Sequence, residues 1–69
     1  MNNAVIKGNW NMVKGKVKEM WGNLTDDDLT EIDGKKDYLV GKLQKKYGYT
    51  LEEAQAKVDE FERTHLGNM

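Results

Sequence analysis

The chain has no cysteine, no proline and no serine, and it has a single histidine. Without cysteine there is neither a disulfide nor a thiolate metal ligand, so no covalent staple supplements the core of a 69-residue chain. A domain this small buries only about 60% of the surface its unfolded chain exposes, so its stability is modest. Missing cysteine also permits a reducing compartment. The lack of Ser and Cys removes the usual nucleophiles. His65 lies four residues beyond Phe61, near the C-terminus, where packing or the helix dipole explains it better than general-base work. No run approaches the roughly 20 apolar residues that a bilayer span needs, and the apolar run within residues 1–7 is too short for a signal peptide. A cytoplasmic protein with no membrane partner is therefore expected. Nor is there an excess of charge: eleven basic against twelve acidic residues leave a net −1, and so no overall field for polyanions.

What the sequence does have is internal likeness. Sliding it by 26 positions places Gly8 on Gly34, Val13 on Leu39, Gly15-Lys16-Val17 on Gly41-Lys42-Leu43, and Trp21-Gly22 on Tyr47-Gly48. After a one-residue deletion, Thr25 with Asp28 answers Thr50 with Glu53. In each pair an acid follows Thr by three residues, the pattern of a helix-opening capping box. The expectation is one domain over residues 1–69 made of two similar helical hairpins, about 8–32 and 34–62. Charge alternates with the repeat. Residues 1–24 carry four lysines and one acid, 25–33 five acids and no base, 34–48 five lysines and one acid, and 50–66 five acids with Lys57 and Arg63. Basic helices lying beside acidic ones would favour one arrangement over others.

No segment alternates with period two, so the fold class is all-α with four short helices. Ile6, Trp10, Val13, Val17, Met20 and Trp21 recur at helical spacing and predict a first helix over about 4–21, with Gly22 as its stop. Thr25 caps a short second helix over about 26–32, whose Asp26, Asp27 and Asp28 suit the positive end of its dipole. Asp33-Gly34 either breaks the chain or merely bends it into one continuous helix, and the short break is the preferred reading. The third helix ends at about Tyr47, before Gly48. Thr50 caps the fourth, with Leu51, Ala54, Val58 and Phe61 as its apolar stripe, and Glu53–Lys57 and Asp59–Arg63 as supporting pairs. The hairpins are expected to cross around Trp10, Val17, Trp21, Leu39, Leu43, Tyr47, Val58 and Phe61, leaving no obvious cavity.

Chemistry-bearing motifs are few. Asp26-Asp27-Asp28 is a poor metal site, because consecutive helical side chains diverge by about 100°, and a calcium loop would need Gly where Glu31 stands. Gly15-Lys16 and Gly41-Lys42 lack the spacing, the Ser/Thr and the preceding strand of a phosphate loop. No catalytic residue, metal, cofactor or small-molecule substrate is expected. Lys7, Lys14 and Lys18 line one edge of the first helix, as Lys35, Lys42 and Lys46 line the third. With Trp10, Trp21, Tyr38, Tyr47 and Tyr49 as stacking groups they are candidate phosphate contacts for weak nucleic-acid binding. The competing reading makes the aromatics core and the lysines a solvated rim. The glycines are harder to dismiss. Gly8 and Gly15 fall roughly opposite the Trp10/Val13/Val17 stripe, and Gly34 and Gly41 opposite Leu39/Leu43, although a mid-helix Gly costs about 1 kcal/mol relative to Ala. They form a candidate interaction surface, for the partner hairpin, a second copy or another protein, unless duplication alone preserved them.

The ordered run Gly-Asn-Trp through Gly-Lys-Val-Lys-Glu-x-Trp-Gly-x-Leu-Thr-Asp-Asp-Asp, followed by Gly-Lys-Lys-Asp-x-Leu-x-Gly-Lys-Leu-Gln-x-x-Tyr-Gly-Tyr, resembles the CsbD-like family of small bacterial proteins. The likeness covers roughly residues 7–60. It implies a small helical protein associated with general stress responses, and it brings no catalytic or binding residue to transfer, since the family's biochemical activity is unassigned. Three function classes follow: an interaction module acting through the glycine faces, a weak nucleic-acid binder using the lysine edges, and a hydrophilic soluble protectant. An enzyme ranks last.

Overall fold

The structure, a computed structural model, describes residues 8–65. Among them are four helices and no strand: α1 Trp10–Met20, α2 Asp26–Ile32, α3 Lys36–Tyr47 and α4 Leu51–His65. The first helix does not run unbroken over 4–21. Asn9, at φ −120° and ψ 22°, is its N-cap, and the Asn9 carbonyl accepts from Met12 N at 3.0 Å and Val13 N at 2.8 Å. Ile6 and the rest of the expected first turns lie outside the described residues. The other end also moves. Trp21, at φ −123° and ψ 80°, already leaves the helical region while its N–H still bonds the Val17 carbonyl at 2.8 Å. Leaving there directs the indole onto Phe61, ring centre to ring centre 5.2 Å, so Gly22 is not needed as the stop.

The remaining boundaries follow local chemistry. Thr25 Oγ1 accepts from Asp28 N at 3.1 Å and the Asp28 carboxylate accepts from Thr25 N at 2.9 Å, which closes the capping box of α2. Thr50 and Glu53 repeat it for α4 at 3.1 and 2.9 Å. Seven residues are too few for a helix to persist by propensity, so α2 depends on its cap and on the burial of Leu29 and Ile32. Asp33 (φ 46°) and Gly34 (φ 76°) are consecutive left-handed residues, which reverse the chain between α2 and α3 and settle the break. Gly48 ends α3 at φ 73°, its N–H bonding the Gln44 carbonyl at 2.9 Å.

All four helices feed one core: Val13, Val17, Trp21, Leu24, Leu29, Ile32, Leu39, Val40, Leu43, Ala54, Val58 and Phe61. Each fully buried Val, Leu or Phe contributes about 1.5–3 kcal/mol of transfer free energy. The most extensive helix contacts are those of α3 with α4, followed by α3 with α2, so α3 is the central element. Trp10 and Tyr47, expected in the core, are partly buried at its rim, where Tyr49 joins them. Leu51 is 52% exposed, because the first position of α4 faces outward. Leu24, in the link between α1 and α2, takes a core place that helical spacing alone did not assign.

Candidate interaction surface

The glycines do not form one continuous surface. Gly8, Gly15 and Gly41 are exposed, and a β-carbon built on any of them meets no described atom within 4 Å. No backbone of a neighbouring helix closes on them from within the described molecule. Gly15 lies in an open groove of about 410 Å³ between α1 and α2, with Trp10, Lys14, Lys18, Asp26 and Leu29. Gly8 lines an adjoining hollow with Trp10 and Met12. Gly41 stands apart on the outer face of α3, beside Tyr38, Lys42 and Lys45. Gly34 is buried in the left-handed turn before α3, where its φ of 76° calls for glycine.

The lysine edges are largely occupied. Lys18 bonds the Leu24 carbonyl at 3.3 Å and Asp26 at 3.2 Å. Lys42 reaches Glu31 at 2.6 Å and Asp28 at 3.2 Å, while Lys46 reaches the other Asp28 oxygen at 3.1 Å. Lys35 lies 5.0 Å from the centre of the Tyr38 ring, Lys14 lines the α1/α2 groove, and Lys7 lies outside the described residues.

Asp28 is the hub of this network. It is 6% exposed, yet it closes the α2 cap and faces two lysines of α3. The Thr25 backbone hydrogen bond, with Lys46 and Lys42 adding to it, outweighs burial and holds its carboxyl well below the usual carboxylate range. Lys42 shifts the opposite way, upward, chiefly through Glu31. A second cluster lies between α3 and α4. Lys36, 4% exposed, donates to Asp59 at 2.8 Å and also to Glu62. Burial alone would lower the ammonium's pKa, but the two carboxylates reverse that and raise it, and Lys36 in turn holds Asp59 down. Charge alternation along the sequence pointed to acidic helices beside basic ones, but not to which carboxylate or ammonium would be buried.

The aromatic residues serve mostly to pack. Tyr47 and Tyr49 stack at 5.5 Å, Tyr47 Oη accepts from Asn23 N at 3.2 Å, and Lys57 lies 5.8 Å from the Tyr49 ring centre. His65 rests on Phe61 at 5.1 Å. Among the described residues no group of three or more His, Cys, Asp or Glu is placed to hold a metal ion, and no helix is long and apolar enough to cross a membrane.

Comparison with known proteins agrees with the motifs. A family model described as CsbD-like matches residues 4–56. The UPF0337 protein YjbJ of Escherichia coli O6:H1 is 55% identical over 65 residues, 94% of each chain. A UPF0337 protein of Pseudomonas aeruginosa is 56% identical over 61 residues, 88% of this chain and 94% of that one. Pectobacterium atrosepticum has another, 54% identical over 65 residues and 94% of both chains. Matched by the family model over most of its length, and by relatives at more than half identity over nearly all of theirs, this four-helix chain belongs to the CsbD-like family.

Proposed function

We propose that this chain is a small cytoplasmic stress-response protein that acts without catalysis, as an interaction module whose contacts are made through its open, glycine-bearing helix faces. One observation carries the reading. Gly15 and Gly41 sit inside helices, in register in the two halves, with no described atom within 4 Å of a β-carbon at either site. Each costs about 1 kcal/mol of helix propensity relative to Ala. No packing among the described residues repays that cost, whereas a partner approaching closely would. Nucleic-acid binding is the weaker reading, because Lys18, Lys42 and Lys46 are already engaged by Asp26, Asp28 and Glu31, and phosphates would have to displace those carboxylates. A site-free protectant fits poorly with capped helices around a continuous apolar core. The test is affinity capture from stressed cells with the wild type beside a Gly15→Leu/Gly41→Leu variant. Loss of a saturable, specific partner with the variant is expected, and an unchanged set of captured proteins would sink the proposal.

A further inference from the structure

The outer face of α3 carries a consistent charge. Tyr38 is 53% exposed and, with Gly41, Lys42, Lys45 and Glu31, lines an open hollow, while the Lys35 ammonium stands 5.0 Å from the Tyr38 ring centre. At about 100° per residue, positions 35, 38, 41, 42 and 45 fall within a third of the helix circumference. Glu31 offsets Lys42 at 2.6 Å, which leaves Lys35 and Lys45 to set the sign of the face. Two copies of this face pressed together would oppose lysine with lysine, and like charges facing one another disfavour such a contact. Its partner must be acidic and have a flat centre.

The same molecule presents that surface on α4. Opposite the buried Ala54, Val58 and Phe61, the helix exposes Glu52, Glu53, Ala56 and Glu60, and none of these three carboxylates forms an ion pair among the described residues. Lys57 is turned toward the Tyr49 ring, and Arg63 lies at the far end of the face. With a rise of about 1.5 Å per residue, Glu52 and Glu60 sit roughly 6 Å to either side of Ala56, while Lys45 and Lys35 sit roughly 6 and 9 Å to either side of Gly41. Glycine and alanine at the two centres would let the helices approach at the short end of the usual 8–10 Å interaxial range.

We infer that the outer face of α3 docks against the outer face of α4 of a second copy, with Gly41 against Ala56 and Lys35 and Lys45 opposite Glu52 and Glu60. This rests on reading Gly41 as an interaction surface and names its partner. The contact is head to tail, so each copy keeps one face free, and association extends into short chains unless the rotation closes a ring.

The experiment is sedimentation velocity over a concentration series. Wild type should sediment faster as concentration rises at low salt, and return to the monomer value in about 1 M salt, where the screening length is about 3 Å. Lys35→Glu/Lys45→Glu and Glu52→Lys/Glu60→Lys should each weaken self-association by at least about tenfold. Mixing the two variants should restore it, because the first keeps the α4 face and the second the α3 face. Restoration also shows that both variants are folded, and a dispersed amide spectrum of each alone provides the same check. A wild type that stays monomeric throughout, or association that ignores both double variants, overturns the inference. So does a monomer whose α3 lysines retain a single-stranded oligonucleotide instead. If wild type is monomeric but Gly41→Leu still loses a captured partner, the head-to-tail contact falls and the interaction reading stands. If Gly41→Leu loses nothing, both fall.

Discussion

Lys36 and its two carboxylates should respond very unequally to removal. Asp59→Asn/Glu62→Gln strips both carboxylates from an ammonium that is 4% exposed. Taking the counter-charge from a buried ion costs about 3–5 kcal/mol, the scale of the whole stability of a chain this size at about 0.05–0.15 kcal/mol per residue. Lys36→Met keeps an apolar stem between α3 and α4, and leaves behind carboxylates whose side chains are 49% and 20% exposed and can turn toward water. Its cost should be only about 1–2 kcal/mol, since partly exposed charges are resolvated. Urea titration followed by tryptophan fluorescence reads the difference, because Trp21 is packed on Phe61. The Asn/Gln variant should be largely unfolded in plain buffer, or have a far lower midpoint than Lys36→Met. Equal costs, or a greater cost for Lys36→Met, would refute the reasoning. The triad also sets an alkaline limit. The Lys36 pKa is raised above its ordinary 10.5, so its contribution is complete below that value and is lost as pH rises through the folded-state value.

Three further outcomes follow from the caps and turns. Asp28→Ala should cost about 2 kcal/mol, more than the roughly 1 kcal/mol of Thr25→Ala, because it removes the Lys42 and Lys46 contacts as well as the cap; paired urea titrations decide it. Gly48→Ala should destabilise by about 1–2 kcal/mol, since Gly48 holds φ 73°, and a raised thermal midpoint would contradict this. Asp28, Asp59 and Glu53 all have pKa values held below their ordinary 3.8, 3.8 and 4.5. In acid the unfolded chain therefore binds more protons than the folded one. Stability should be full above about pH 5 and fall as pH drops through and below those ordinary values, and Asp28→Asn should flatten part of that fall in urea midpoints taken from pH 6 to pH 2.5.

How much of this was legible in the sequence depended on the range of the interaction. Thr25 with Asp28, Thr50 with Glu53, Gly48 and the Asp33-Gly34 break are local signals, and each places its boundary correctly. Asn9, an N-cap residue type directly before Trp10, is a local signal that a reading by apolar periodicity alone passes over. Trp21 leaves α1 early for a tertiary reason, contact with Phe61, which no pattern within α1 contains. Leu24 enters the core from a link, where periodicity has nothing to say. Lys36 falls at helical spacing from Leu39 and Leu43, yet a buried lysine becomes intelligible only when α4 brings Asp59 and Glu62 to it. The candidate glycines were legible as residues but not as places. The structure separates Gly34, a buried turn, from Gly15 and Gly41, which face outward on different helices.

The most direct test of an outward-facing glycine surface combines thermal unfolding of Gly15→Ala and Gly41→Ala with sedimentation and partner capture of Gly15→Leu and Gly41→Leu. With no described atom within 4 Å of a β-carbon at either site, each Ala should raise stability, by up to about 1 kcal/mol. The interaction reading requires that Gly15→Leu and Gly41→Leu keep the fold but lose self-association or the captured partner. Higher stability in both Ala variants, with every association of the Leu variants intact, would contradict it.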